Sequence, residues 1–290
     1  MCPRFFPKFT TRMARIEMTT WVDDKGMAIV ETSPPGMKSE RTTPDQVLKA
    51  EPEGAKFDVL TMFRVPVDAE IPDGAKVSRL KLQITGVDPK EYELSGPGQH
   101  VLTAGPLVVE IKTPVVPSEP VALPIAAESE YLKPSVSIQC DAPEIKAKAN
   151  EAIGAEKDAV VAARKLVSWV FTVMEKQATA SFPSALDVLK TMKGDCNEHA
   201  VLFAALARSI GIPTKTAVGL AYTDRAFYYH AWNEVFLGTW IPVDATFGEF
   251  PAGALHLKLA EGELSQQAEI LGLVGTIGIK VKEFGLAPVE

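Results

Sequence analysis

Polar and apolar positions alternate through KVSRLKLQITGV (residues 76–87), where Val77, Leu80, Leu82 and Ile84 suggest one buried face of a predicted strand whose register is broken at its start, between Val77 and Leu80. The same alternation recurs in ARIEMTTWV, MAIVETS, FDVLTMFRVPV and PLVVEIKTPVV, rich in β-branched and apolar residues and bounded by Pro, Gly and Asp turn signals. Residues 1–127 therefore predict a β-sandwich-like domain. The period then lengthens. In APEIKAKANEAIGAEKDAVVAARKLVSWVFTVM the apolar positions Ile145, Ala149 and Ile153, then Val160, Ala163, Leu166, Val167 and Val170, recur every three to four residues. That spacing predicts two amphipathic helices broken at Gly154. SALDVLKTM predicts a short helix capped by Ser184, and EYLKPSVSIQCDAP an extended linker leading into this half.

A further helix is signalled by GDCNEHAVLFAALARSIGIP. Asp195 is a good N-cap and Glu198, three residues on, completes a capping box. Val201, Leu202, Ala205, Leu206 and Ile210 form the buried stripe, and Gly211 with Pro213 stop the helix. TKTAVGLAYT, AFYYHAWNEVFL and GTWIPVDATFG then read as strands. Residues 128–290 thus predict an α+β domain with an antiparallel sheet.

Bulk composition narrows the function classes. At 290 residues, 46% hydrophobic and 23% charged, the chain suits two globular domains, and no apolar run approaches the ~18 residues of a membrane span. A net charge of −7 without a Lys/Arg cluster argues against nucleic acid as a partner. MCPRFFPKFTTRMAR is mildly basic but is interrupted by Pro3 and Pro7 and has no apolar core, so no export signal is expected in this chain. A soluble protein is expected, cytoplasmic or, given a longer precursor, periplasmic.

Cys2, Cys140 and Cys196 are scattered and odd in number, which argues against a disulfide framework. Cys140 has no basic neighbour or helix start to activate it. Cys196 falls in the first turn of the predicted helix, where free N–H groups and the helix dipole are expected to lower a thiol pKa. A nucleophile also needs a base and a group that orients the base. Of the four histidines, His100 in SGPGQHVL and His256 in GALHLKLAEG read as surface or packing residues. His199 lies one turn from Cys196 on the same helix, too rigidly close to leave room for substrate, and reads as a structural hydrogen-bonding residue.

His230 stands in a predicted hairpin, FYYHAWNEVFLGTWIPVDATF. With Phe236, Leu237 and Gly238 as a three-residue loop, Val235 opposes Thr239 and His230 opposes Asp244, their Cβ atoms about 4.5–5.5 Å apart. A two-residue loop would put the pair on opposite faces. Cys196, His230 and Asp244 are the candidate catalytic set. Two other readings stay open: a zinc site built from Cys196, His199, His230 and Asp244, and a non-catalytic interaction or scaffold module.

The blocks SALDVLKTM, GDCNEHAVLFAALARSIGIPTKTAVGL and YYHAWNEVFLGTWIPVDATF resemble the transglutaminase-like superfamily, papain-related in its core, over about residues 128–285. The resemblance implies a bacterial-type two-domain member with a papain-like α+β domain. It implies Cys196 as nucleophile, His230 as general base and acid, and Asp244 as its orienting residue. The implied chemistry is acyl transfer through a thioester on a peptide or glutamine-type amide. Hydrolysis is favoured over transamidation because no acceptor-amine site is evident. The Cys196 N–H is expected to hold the oxyanion. For a second donor ASFPSALDVL offers only Ser181 or Ser184; Ser184, His199 and Trp232 are the expected support residues. Neither cofactor nor metal is expected, since no acidic loop has calcium-ligand spacing. The implied partner is a protein or peptide substrate, which the β domain would help to position.

Overall fold

The computed structural model describes residues 7–13, 16–33, 37–44, 46, 64–72, 77–177, 184–262, 270, 273 and 275–287. Much of FDVLTMFRVPV, and Ser181, lie outside these residues. The chain opens with β1 (Lys8–Met13), β2 (Ile16–Val22), β3 (Ala28–Ser33) and β4 (Met37–Glu40), an antiparallel meander in that order. No described side chain of the meander is fully buried. Next come β5 (Arg64–Pro66), β6 (Val77–Thr85), β7 (Gln99–Ala104) and β8 (Leu107–Lys112). Among the described residues four α-helices follow: α1 (Pro143–Ile153), α2 (Ala159–Val173), α3 (Ala185–Thr191) and α4 (Cys196–Ser209). Two-residue strands β9 (Glu175–Lys176) and β10 (Lys193–Gly194) pair in parallel before α4. The chain ends with β11 (Thr214–Thr223), β12 (Ala226–Phe236), β13 (Trp240–Val243), β14 (His256–Glu261) and β15 (Gly278–Leu286). The fold is α+β with antiparallel sheets, and among the described residues no helix is long and apolar enough to cross a membrane.

Most patterns read from sequence fold as expected, but the segment EYLKPSVSIQCDAP, read as extended, begins within a 3-10 turn, Ser129–Leu132. Val77, Leu80, Leu82 and Ile84 are all buried on β6. Ile145, Ala149 and Ile153 of α1, and Val160, Ala163, Leu166, Val167 and Val170 of α2, point into one core. Gly154 separates the two helices at φ 66°. Helix α4 is apolar nearly all round and sits at the centre of that core, against α1, α2, α3 and Val235, Ile241 and Val243 of the central sheet.

The central sheet has the order β13-β12-β11-β14, with β5 pairing β12 as well. A second sheet, β15-β6-β8-β7, packs its apolar side chains, among them Leu80, Leu82 and Val109, with Val218, Leu220, Phe227 and Leu257 of the central sheet. The sandwich that the N-terminal strands predict is thus completed by the central sheet. The division expected at residue 127 is crossed twice by strand pairing, by β5 on β12 and by β15 on β6. Polar sutures reinforce the junction. The buried Gln99 side chain donates to the Leu94 and Lys258 carbonyls and accepts from the Lys258 N–H, acting as an extra rung between the sheets.

Strand β11 has small residues where its neighbours are large. Ala217 opposes Trp232, Gly219 opposes His230, and Ala221 opposes Tyr228; across the other edge Gly219 opposes Lys258 and Ala221 opposes His256. Opposed residues share a face. The small row therefore lets side chains from β12 and β14 meet above β11. The buried Lys258 ammonium reaches Glu234 this way, at 2.9 Å. At Gly219 the ladder to β14 also slips by a bulge, and a Cβ there would lie 2.0 Å from the Leu257 carbonyl oxygen. Gly219→Ala is expected to lower stability by about 1–3 kcal/mol, the usual cost of overpacking. Urea denaturation measures this; an unchanged midpoint would contradict the close approach of β11 and β14.

Candidate active site

Cys196 is the first residue of α4, and a capping box fixes that start. The Asp195 carboxylate accepts from the Asn197 N–H at 2.9 Å, and Glu198 accepts from the Asp195 N–H at 2.9 Å. Gly194 makes room for the returning Glu198 side chain, since a Cβ there would lie 2.2 Å from Glu198 Cβ. Cys196 shares a cleft with Tyr229, His230 and Ala231 of β12.

The direction of the thiol's shift reverses the sequence expectation. Burial pushes the Cys196 thiol up, the Asp195 carboxylate adds to this, and the Ala231 N–H only partly offsets them; the value reaches about 12. The carboxylates that define the helix start oppose the helix dipole at the same place. Cys196 rests as a thiol, and its ionisation needs a proton acceptor.

His230 is the imidazole that shares the cleft of Cys196. It lines a cleft of about 150 Å3 together with Cys196, Asn197, Tyr229 and Ala231. Its Nε2 hydrogen-bonds Asp244 Oδ2 at 2.6 Å, which leaves Nδ1 as its other nitrogen. The pair forms through a different register from the one expected. Phe236 opposes Trp240 and Asn233 opposes Val243, so the loop is Leu237–Thr239, with Gly238 at φ 88°. Continued one step, this register sets Asp244 across from Trp232, with His230 on the diagonal. A shift of two residues preserves the face, so His230 and Asp244 still meet.

Asp244 is fully buried and its carboxylate accepts from four sides. Oδ1 takes the Thr246 and Phe247 N–H groups at 2.7 and 3.0 Å. Oδ2 takes His230 and also His256 Nε2, the latter at 2.9 Å. Burial alone would raise this carboxyl, but the charge and hydrogen bonds of His230 and His256 outweigh it and hold the group well below the usual carboxylate range. The turn is closed by reciprocal backbone bonds between Asp244 and Glu249.

His256 corrects the sequence reading, which placed it among surface or packing histidines. It is 6% exposed and belongs to the site. Burial disfavours its cation, yet the Asp244 hydrogen bond and charge, with the Glu249 charge, prevail and raise its pKa. The available signal was its place on the last core strand beside the small row of β11, but tertiary pairing was needed to read it. Phe247 was also missed: its ring stacks on His230 at 4.6 Å and 5°.

Of the support residues, Trp232 is buried, edge-on to His256 at 5.2 Å and 6.2 Å from the His230 ring. His199 is fully buried; its Nδ1 pairs with the Asp195 carbonyl at 2.6 Å, and burial lowers its pKa, as suits a structural histidine. Ser184 caps α3, accepting from the Asp187 N–H, and does not line the cleft at Cys196. His100 is exposed on β7. Cys140 is buried in the helical core, 3.4 Å from the Leu132 carbonyl, and burial raises its pKa.

The residues weighed as a zinc site are not brought together as one set. Among the described residues the group with ligand atoms within 4.8 Å of one another is His230, Asp244 and His256, without Cys196 or His199. Both histidine nitrogens converge on one oxygen at 2.6 and 2.9 Å, the separations of hydrogen bonds.

Residues 146–245 match the model of the Transglutaminase-like superfamily. Over 88 residues the chain is 34% identical to the kyphoscoliosis peptidase of Homo sapiens and 35% identical to that of Mus musculus. The match takes in 27% of this chain, which spans about 13% of the length of these curated relatives. Among solved structures it is similar to a candidate cysteine protease from Cytophaga hutchinsonii, with a TM-score of 0.48 and 20% identity over 73% of this chain and 86% of that one. The periplasmic domain of TgpA from Pseudomonas aeruginosa gives 0.39 and 14% over 64% and 87%. Red sea bream transglutaminase gives 0.34 and 12% over 63% and 48%.

The Asp244 cluster carries a stability prediction. A carboxyl held low in the folded state stabilises the fold fully above its unfolded value of about 3.9, and that contribution is lost as pH falls toward the folded value. Asp244→Asn should cost about 3–5 kcal/mol at pH 7, as for one member removed from a buried pair. The gap to the parent should shrink below about pH 4. Urea titrations from pH 7 to pH 3 measure both; a pH-independent gap would contradict the charged cluster.

Proposed function

We propose, from the match of residues 146–245 to the transglutaminase-like superfamily model, that the protein is a papain-like cysteine enzyme performing acyl transfer on a peptide or glutamine-type amide of a protein substrate. The observation that carries this reading is the His230–Asp244 hydrogen bond at 2.6 Å, with His230 in the same cleft as Cys196.

The steps follow from the groups present. His230 Nδ1 takes the Cys196 proton as the sulfur attacks the amide carbonyl, since a thiol pushed up to about 12 does not ionise unaided. The oxyanion of the tetrahedral intermediate is met by the Cys196 backbone N–H, one of the helix-start donors without an intrahelical partner. His230 then gives its proton to the departing amine, and the carbon–nitrogen bond breaks to leave a thioester. Water, deprotonated by His230, attacks the thioester; a carboxylic acid leaves and the proton returns to sulfur. An acceptor amine in place of water would give a new amide. We favour hydrolysis, because water reaches any open cleft and, among the described residues, the lining of the cleft at Cys196 includes no carboxylate that would hold an acceptor ammonium. Asp244 keeps the His230 Nε2 proton in place throughout.

Iodoacetamide labelling of Cys196, read by peptide mass spectrometry, tests this reading. The parent protein should label at pH 7 about 10²–10⁴ times faster than His230→Ala, the range of a general base. In the variant the rate should climb about tenfold per unit from pH 7 to pH 10, because the thiol titrates only above that range. Equal rates in the two proteins, or labelling that starts only after a chelator is added, would overturn the enzyme reading.

A further inference from the structure

We infer that His256 is a positioning residue for the reaction: by donating from Nε2 to Asp244 Oδ2 it fixes the carboxylate that orients His230. This inference rests on the cysteine-enzyme reading above and deepens it.

The carboxylate has one oxygen saturated by backbone and the other shared by two imidazoles. Oδ1 is held by Thr246 and Phe247 N–H groups, which fix its position but leave rotation about the Oδ1 anchor undetermined. Oδ2 sits between His230 on β12 and His256 on β14. A single imidazole on Oδ2 could tilt with it; two from opposite sides of β11 cannot both follow. The two rings are 5.8 Å apart and inclined by 55°, so their N–H bonds approach the oxygen from distinct directions. His256 is itself held, with Trp232 against its edge and Glu249 Oε2 3.9 Å from Nδ1. Phe247 completes the mould, since the residue whose N–H binds Oδ1 also stacks its ring on His230. His256 has no place in the cleft at Cys196 and touches no reacting atom. Its effect passes through Asp244.

The donor is what matters, so the side-chain nitrogen can be tested apart from the volume. His256→Leu removes the donor, whereas His256→Gln keeps an N–H at the reach of Nε2. Leu is expected to slow Cys196 labelling by iodoacetamide at pH 7 about 10- to 100-fold, the scale at which outer hydrogen bonds to a functional side chain act. Gln should recover most of that loss. Combined with His230→Ala, the Leu substitution should add nothing, because its route of action is gone. A parent-like rate in a folded Leu variant, or equal losses in Leu and Gln, would overturn the inference.

A measurement on the parent protein covers the case in which Leu does not fold. Long-range proton–nitrogen spectra of the imidazoles should show the His256 proton on Nε2 at pH 7. A His256 whose Nε2 is bare there would overturn the inference, as would a spectrum altered by a chelator. Labelling that ignores His230 would instead overturn the enzyme reading beneath it, so the two failures are distinguishable.

Discussion

A carboxylate withdrawn from water must recover in hydrogen bonds what it loses in solvation, and the Asp244 carboxylate, fully buried, recovers it from four donors. Those donors arrive from β12, β14 and the turn after β13, so the charge sets the relative position of three segments at once. It also imposes a demand on β11. Side chains from its two neighbours must meet above it, and Ala217, Gly219 and Ala221 are the small row that permits this. Lys258 and Glu234 use the same row for their buried pair. The site and the sheet's polar interior are therefore solved by one feature of one strand.

At the other side of the cleft two demands conflict. A sharply defined helix start needs carboxylates at Asp195 and Glu198, while a preformed thiolate at Cys196 needs them absent. The structure favours the start. Under the proposed reading, the Cys196 thiol, pushed up by burial and by Asp195, relies on His230 to ionise, and the orientation of that imidazole becomes the controlling quantity. A misdirected His230 could not be compensated by a reactive sulfur. The buried Asp244 cluster is matched to that requirement.

How much of this was legible in the sequence depended on the range of the interaction. The buried face of β6, the α1 and α2 stripes, the Ser184 cap and the Asp195–Glu198 box are local patterns, and each folds as read. The pairing of His230 with Asp244 was reached through the wrong register and survived because a slip of two residues keeps the face. The rise of the Cys196 thiol was missed because burial by β12 is not written near residue 196. His256 was missed for the same reason: twelve residues of chain separate it from Asp244, and only the bulged pairing of β11 with β14 brings them together. The return of β15 to β6 is likewise a contact between distant segments.

The central claim is that the geometry around Asp244 makes Cys196 an acyl acceptor. The direct measurement is the intact mass of the protein after brief exposure to a p-nitrophenyl ester of an acylated amino acid, with peptide mapping of any adduct. The account predicts one acyl group per chain, on Cys196, discharged on standing in water and absent from the His230→Ala protein. Acylation on Cys140 or lysine only, or an adduct at Cys196 that forms equally well without His230, would contradict it.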